Sequence, residues 1–191
     1  MSRKKEAIVR AGRKLFLSRG INDVSMEQIA EAVPVTKMTL YNNFGSKEGL
    51  LEAVVDDAVE EILRLFDEAI QGSSDTVDAL NRISELDFPD ADISEAFVTD
   101  LQSDYPHLMA RWVDAQLGRA LPQFEQLIFQ GQQQGQIRKE LSPSVVVAFL
   151  KFMGEHVSKS DTLLHLGEIK SVKQQLATIF YHGILTDKSE K

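Results

Sequence analysis

The stretch SMEQIAEAVPVTKMTLYNNFGSKEGL, residues 25–50, contains two helix starts in quick succession. At the first start, Ser25 can cap the helix, and Gln28 stands three residues on, where its side chain can close a capping box. At the second start, Thr36 takes the capping position. Pro34 lies between the two and biases the residue before it away from helical geometry, so the first helix is short. The sequence therefore predicts two short helices joined by a tight turn.

Two further helices flank this pair. Residues 5–19 place apolar side chains at helical spacing with basic ones between them, and Gly20 supplies a stop. Downstream, Ser46 follows a glycine and begins a long helix. A longer helix, a short helix, a tight turn and another short helix form the layout of a helix-turn-helix unit, whose last short helix enters the major groove of DNA.

The charge of the chain is divided unevenly along its length. The whole sequence has 21 basic and 29 acidic side chains, a net charge of -8. Residues 1–51 hold nine of the basic and five of the acidic side chains, a net charge of +4, which leaves -12 for the rest. A short basic segment on a long acidic body suggests that only one end faces a polyanion. From charge alone, a basic solvated face without a partner is the alternative.

Three short runs in the quoted stretch carry a resemblance to a known family. They are IA at residues 29–30, TKMTLY at 36–41 and FGSKE at 44–48, in this order and after a basic amphipathic helix. Together they closely resemble the DNA-binding region of the TetR family of bacterial transcriptional regulators. Pro34 departs from the family pattern, which commonly has glycine there, because proline cannot adopt the positive φ that glycine allows.

The motif and the resemblance assign DNA contacts to eight residues. Side chains at the start of the recognition helix reach base edges in this motif. Here they are Thr36, Lys37, Met38 and Thr39. Among them, Lys37 can donate to guanine acceptors and Met38 can meet a thymine methyl group. The resemblance assigns phosphate contacts to four more residues: Ser25, Tyr41, Asn42 and Lys47. For Tyr41, packing at the edge of the core is the alternative.

Residues 1–46 are therefore predicted to form a helix-turn-helix DNA-binding domain. Apolar residues at helical spacing are expected to fill its core rather than contact DNA. They are Ile8, Leu15, Phe16, Ile29, Ala30, Val35, Leu40 and Phe44. Residues 47–191 are predicted to form a larger helical domain, to which the resemblance assigns effector binding and dimerisation. No strand pattern competes anywhere, so the predicted fold class is all-α.

The spacing of apolar residues and the capping signals predict six helices after residue 46. Their approximate ranges are 47–71, 75–86, 92–103, 104–134, 143–158 and 168–185. Asp75 and Asp92 are the predicted caps of two of these helices. Gly118 and Pro122 are expected to bend or divide the longest one.

The last two helices are predicted to form a dimer interface. The helix at 143–158 is apolar on nearly every side, which indicates burial on both faces. Pairing with the same helices of a second copy about a two-fold axis would provide that burial. The resemblance implies the same, because the family dimerises through its last two helices. The predicted interface residues are Val145, Phe149, Phe152, Val172, Leu176, Ile179 and Phe180. The alternative is a monomer with a large core.

The resemblance also implies a small-molecule pocket in the second domain, whose filling releases the protein from its operator. Aromatic and polar-tipped residues on the middle helices are the candidates for its lining. They are Phe66, Phe97, Tyr105, Met109, Trp112, Phe124, Met153 and His156. For each of them, ordinary core packing is the alternative.

Several classes of function find no support in the sequence. The chain has no cysteine, no glycine-rich phosphate loop, no G-x-S-x-G turn and no E-x-x-H pair. No catalytic set, cofactor or metal site is therefore predicted. No apolar run is long enough to span a membrane, and the absence of cysteine favours a reducing compartment, the cytoplasm.

We therefore expect a DNA-binding transcriptional regulator that is not an enzyme. Its expected partners are a double-stranded DNA operator, a second copy of the chain and a small apolar or amphipathic effector. Repression, relieved when the effector binds, is what the resemblance implies. The alternative is a helical ligand-binding or adaptor dimer without a role on DNA.

Overall fold

The computed structural model describes residues 2–86, 93–157 and 169–186, which form helices and no β-sheet. In chain order the described helices are α1 (Arg3–Arg19), α2 (Met26–Ala32), α3 (Lys37–Phe44), α4 (Lys47–Gln71), α5 (Thr76–Ser84), α6 (Glu95–Asp104), α7 (Pro106–Gln133), α8 (Pro143–Val157) and α9 (Ile169–Ile184). The predicted all-α fold is confirmed. None of these helices is long and apolar enough to cross a bilayer.

The described residues divide into two compact units. The first lies within residues 1–64 and 87–116, and the second within 65–86 and 117–191. The first unit contains more of the chain than the predicted DNA-binding domain, because α6 packs against α1. The boundary after residue 46 stays a prediction about independent domains.

Local hydrogen bonds begin both short helices as the sequence predicts. The Ser25 hydroxyl accepts a hydrogen bond from the Gln28 amide at 3.2 Å, and the Ser25 amide donates to the Gln28 side chain at 2.7 Å. This is the predicted capping box. The Thr36 hydroxyl accepts a hydrogen bond from the Thr39 amide at 3.3 Å and caps α3.

The turn between α2 and α3 accommodates proline without strain. Val33 is extended, with φ -128° and ψ 139°, which is the geometry that a following proline favours. No non-glycine residue in the described part of the chain has a positive φ. Pro34 therefore replaces the glycine common in the family without needing the left-handed conformation.

The core of the first unit includes most of the predicted residues. Five of the eight are buried: Ile8, Phe16, Ile29, Ala30 and Leu40. The other three, Leu15, Val35 and Phe44, are half-buried. The prediction missed buried residues in α1 and in the loop that follows it, among them Val9, Leu17, Ile21 and Val24.

A carboxylate on α6 holds the turn between α1 and α2. The Asp100 carboxylate accepts hydrogen bonds from the Ile21 amide at 2.7 Å, the Asn22 amide at 2.9 Å and the Asn22 side chain at 2.9 Å. The same Asn22 side chain donates to Asp104 at 2.8 Å. At the turn, Gly20 has φ 93°, and a Cβ there would lie 2.9 Å from the Ala96 Cβ. The α1–α2 turn and α6 are therefore fitted closely to one another.

Asp100→Ala is expected to destabilise the first unit by about 2 kcal/mol. The substitution removes three hydrogen bonds, and each contributes roughly 1 kcal/mol, less where solvent competes. Thermal denaturation followed by circular dichroism measures the loss. Asp104→Ala removes one hydrogen bond and should cost less than half as much. An equal loss in the two variants would contradict the assigned role of Asp100.

Ser94 caps α6, in place of the predicted Asp92. The Ser94 hydroxyl accepts a hydrogen bond from the Phe97 amide at 3.1 Å, and Glu95 is the first helical residue. Asp92 lies outside the described residues. The prediction started the helix too early because Asp92 and Ser94 are both good capping residues, and sequence alone does not choose between them.

Of the two expectations for Gly118 and Pro122, a division of the longest segment is wrong, and a bend stays a prediction. Helix α7 runs without interruption from Pro106 to Gln133, through Gly118 and Pro122. A proline inside a helix costs about 3 kcal/mol. Burial of Phe124, Leu127 and Ile128 in the next turns offsets this cost.

The second unit has a core shared by α5, α8, α9 and the parts of α4 and α7 that belong to it. The buried members of this core are Phe66, Ala79, Leu80, Phe124, Leu127, Ile128, Ile137, Val146 and Ile184. A buried Gln132 side chain fixes the loop after α7 by donating hydrogen bonds to the carbonyls of Arg138 and Leu141. An isolated bridge between Ile137 and Leu185 joins this loop to the end of α9.

Candidate nucleic-acid interface and ligand cavity

Helix α3 has one buried position and several exposed ones. Leu40 is fully buried and anchors the helix, while Met38 is 68% exposed and Tyr41 is 39% exposed. Lys37 and Asn42 are exposed as well. A short helix that presents a cation, an amide, a phenol and an apolar side chain to solvent has the mixed donors, acceptors and apolar contacts that base edges require.

Lys37 is held at the start of α3 by two neighbours. Its ammonium group forms an ion pair with the Glu27 carboxylate of α2 and lies 5.8 Å from the centre of the Tyr41 ring. The hydrogen bond to Glu27 raises the pKa of Lys37 and lowers the pKa of Glu27. Both side chains are about half exposed, 50% and 52%, so water and salt screen the pair. A nucleic-acid acceptor can therefore replace Glu27.

The two threonines at the start of α3 differ in solvent exposure. The Thr36 hydroxyl accepts the capping hydrogen bond and lies 3.0 Å from the Thr39 hydroxyl. Thr39 is half-buried. Thr36 is exposed and its hydroxyl stays at the start of the helix.

Lys47 stands at the first position of α4 and is half-buried. Burial lowers its pKa, and the carboxylates of Asp100 and Asp23 partly oppose that shift. Next to it, the Ser46 hydroxyl accepts a hydrogen bond from the Gly49 amide at 3.0 Å and caps the helix. The positive end of the α4 dipole therefore adds to the Lys47 charge at a point suited to an anion.

One basic residue of this unit serves the core instead of the surface. Arg13 of α1 is only 6% exposed and forms an ion pair with Asp57 of α4 at 3.0 Å. Burial raises the pKa of Asp57, and the nearby Arg13 guanidinium opposes that effect without cancelling it. Of the nine basic side chains in residues 1–51, Arg13 is therefore not available to a polyanion.

A cavity of about 370 Å³ lies within the second unit. Its lining residues come from both segments of this unit, 65–86 and 117–191. Eleven of the twelve lining side chains are apolar. The lining residues are Phe66, Ile83, Ala120, Leu121, Phe124, Phe149, Leu150, Met153, Leu176, Ala177, Phe180 and Tyr181. This volume lies in the range of small-molecule sites.

Three acidic or histidine side chains come together at the starts of α4 and α7. Glu48, Glu52 and His107 have ligand atoms within 4.8 Å of one another, and all three are exposed. The His107 ring lies 3.5 Å from the Glu48 carboxylate. Because water surrounds each of these groups, the arrangement is explained by attraction between an imidazole and two carboxylates.

Comparison with known proteins gives a match over the first helices of the chain. Residues 8–54 match the family model described as bacterial regulatory proteins of the tetR family. These residues therefore match the DNA-binding region of the TetR family. The matched segment covers α1, α2 and α3 and the beginning of α4, the elements that place Lys37 and Lys47.

Relatives extend the similarity beyond this segment. The transcriptional repressor KstR2 of Rhodococcus jostii is 22% identical over 141 residues, which cover 72% of this chain and 69% of KstR2. The transcriptional repressor DhaR of a Mycobacterium strain is 24% identical over 162 residues, 76% of each protein. A transcriptional regulator from Saccharomonospora viridis, solved in complex with choline, has 18% identity and a TM-score of 0.73 over 98% of this chain and 100% of that one. The structural match shows a shared fold.

Three of the eight predicted ligand contacts line the cavity of the second unit. Phe66, Phe124 and Met153 line it. Four others belong to the first unit instead and do not line it: Phe97, Tyr105, Met109 and Trp112. There the Phe97 and Trp112 rings pack together with their centres 6.1 Å apart. The side chain of the eighth, His156, lies outside the described residues.

The predicted dimer residues also fall into two groups. Val145, Phe149, Phe152 and Ile179 are more than half exposed, at 63%, 51%, 57% and 71%. The other three point elsewhere: Val172 is buried at 6% exposure, and Leu176 and Phe180 line the cavity. The assignment of Val172 to a surface is therefore wrong, because its side chain packs inside its own chain.

Sequence reasoning missed nine of the twelve cavity residues as ligand contacts. Phe149, Leu176 and Phe180 had been assigned to the dimer surface, and the other six had been given no role. Their common signal is that α8 and α9 are apolar on more sides than one surface needs. Such helices can serve an interface on one side and a cavity on the other.

Proposed function

We propose that this protein is a transcriptional repressor that binds a DNA operator as a homodimer and is released by a small apolar or amphipathic effector. The observation that carries the proposal is the exposed face of α3 on a TetR-family DNA-binding unit. Lys37, Met38, Tyr41 and Asn42 are all exposed there around the buried Leu40. Recognition helices of this motif use such exposed side chains to read the major groove.

Two further observations support the remaining parts of the proposal. The apolar cavity has the size and lining of a small-molecule site. Four large apolar side chains exposed on α8 and α9 form the kind of patch that marks a protein interface. A two-fold dimer places two recognition helices where they can read half-sites about 34 Å apart. Repression is supported by the relatives KstR2 and DhaR, which are named repressors.

The experiment that tests the DNA role is selection of bound sequences from a random duplex pool. We expect an enriched sequence with two related half-sites, because a symmetric dimer reads a symmetric site. Affinity for this duplex should fall steeply with salt, since phosphate contacts release counterions. A pool that stays random, with no salt-dependent retention, would instead support a ligand-binding or adaptor dimer without a DNA role.

A further inference from the structure

The cavity in the second unit has a lining without charge. The lining residues that the structure describes include no Asp, Glu, Lys, Arg or His side chain. A charged ligand group placed there would lose its hydration without gaining a partner of opposite charge. The lining therefore selects against carboxylates, phosphates and ammonium groups that would have to enter it fully.

Several aromatic rings of the cavity lining pack against one another. The Phe180 ring packs against three other rings, with centre distances of 6.2 Å to Phe124, 6.1 Å to Phe149 and 5.5 Å to Tyr181. Phe149 and Phe180 are parallel, with 4° between their planes, so each covers part of a face of the other. These contacts fix the position of the Phe180 ring in the lining.

One hydroxyl is the polar exception. Among the described lining residues, Tyr181 is the only one whose side chain has an oxygen or nitrogen atom. Burial raises the pKa of Tyr181 to about 12, so the phenol stays protonated and keeps its hydrogen. Among the described residues no hydrogen-bond partner for this hydroxyl is present. No buried side-chain oxygen or nitrogen atom in the described part of the chain lacks a partner, so this hydroxyl is accessible, and an acceptor on a ligand can take the place of water there.

We propose that the effector is an uncharged, largely apolar molecule with a carbonyl oxygen that accepts a hydrogen bond from the Tyr181 hydroxyl. The proposal rests on the proposed function, because it names the class of molecule that the effector cavity takes. Apolar walls supply most of the affinity, and Tyr181 discriminates a ketone or an ester from a hydrocarbon of the same shape. Sites that hydrogen-bond a polar group of a ligand reject analogues that lack that group.

Two neutral fluorescent probes test this inference on the full-length protein. Prodan (6-propionyl-2-dimethylaminonaphthalene) has one ketone, and its emission moves to longer wavelength when the ketone accepts a hydrogen bond. N-phenyl-1-naphthylamine has no carbonyl group and serves as the matched control probe. Tyr181→Phe should weaken prodan binding about 5-fold, the loss of one hydrogen bond, and shift its bound emission to shorter wavelength. Binding of the control probe should change less than 2-fold.

A second variant tests whether both probes bind in the cavity. Ala177→Phe adds a ring to the lining and should weaken both probes together, whatever their polar groups. Unchanged binding of both would mean that they sit elsewhere, which would overturn the proposed site. Equal effects of Tyr181→Phe on the two probes would overturn the role of the hydroxyl.

The charge preference has its own test. The anionic probe 8-anilinonaphthalene-1-sulfonate should bind more weakly than N-phenyl-1-naphthylamine, and tighter binding that Ala177→Phe abolishes would overturn the choice of an uncharged ligand. These readings need no DNA, so they remain informative if duplex selection fails. If a duplex sequence is selected but the probes do not bind as expected, the DNA role is supported and the proposed class of effector is refuted.

Discussion

Phe152→Asp is expected to convert the protein to a monomer and to weaken binding to a two-half-site operator at least 100-fold. Phe152 is 57% exposed on α8, beside the exposed Val145 and Phe149. In a dimer paired through α8 and α9, the new carboxylate would be buried without a partner. A monomer keeps one recognition helix and loses the contribution of the second half-site. Light scattering and titration with the selected duplex measure the two effects.

Phe129→Asp is the matched control for this prediction. Phe129 is similarly exposed, at 53%, but lies on α7, outside the predicted α8–α9 surface. The same substitution there should leave the dimer and its duplex affinity in place. A dimer that survives Phe152→Asp would place the interface elsewhere.

The exposed residues on α8 also bear on the alternative of a monomer with a large core. A helix that is apolar all round predicts burial on every side. Within one chain the structure buries Val146 but leaves Val145, Phe149 and Phe152 more than half exposed. The described residues of a single chain therefore do not supply the burial that the sequence pattern indicates, and a second copy would supply it.

The DNA-binding unit was predictable because its signals are local. Ser25 and Gln28 make their capping box across three residues, and Thr36 caps α3 across the same span. Such contacts join residues that are close together in the sequence, so sequence patterns can reveal them. The Asp100 contacts to Ile21 and Asn22 span 79 and 78 residues, and no sequence spacing marks them.

The ligand cavity was only partly predictable because periodicity shows that a residue faces inward without showing which core it faces. Phe97 and Trp112 are inward-facing aromatic residues, yet they pack in the first unit. Phe66 and Phe124 satisfy the same criterion and line the cavity in the second unit. The choice between the two cores depends on tertiary packing between distant helices.

Charge was predictable as a total and not residue by residue. Arg13 and Lys37 count equally in the net charge of residues 1–51. In the structure, Arg13 is buried against Asp57, whereas Lys37 is exposed at the start of α3. The spacing of apolar residues on α1 leaves Arg13 between the buried positions, so its long side chain lies along the core and ends on a carboxylate.

Lys37→Ala is expected to lower the discrimination between the operator and unrelated duplexes about 10-fold for each protomer, and so about 100-fold for a dimer. Lys37 is the one cation within the described α3, and a lysine that donates to guanine loses that preference when it is truncated. Lys47→Ala is the matched control, because a phosphate contact should weaken all duplexes alike and lower the salt slope by about one per protomer. Titrations of the operator and of a scrambled duplex across a salt series separate the two outcomes.

Glu27→Gln sharpens the interpretation of that result. In the free protein Glu27 forms an ion pair with Lys37, so under the proposed contact DNA would have to displace this carboxylate, which also repels phosphates. Glutamine removes the charge, keeps the side-chain length and leaves Lys37 in place. We therefore expect affinity for every duplex to rise a few-fold while discrimination is retained, because DNA no longer has to displace a carboxylate from the lysine. If Lys37→Ala lowers binding to operator and scrambled duplex equally, Lys37 is a phosphate contact, and base reading falls to Met38, Thr39 and Thr36.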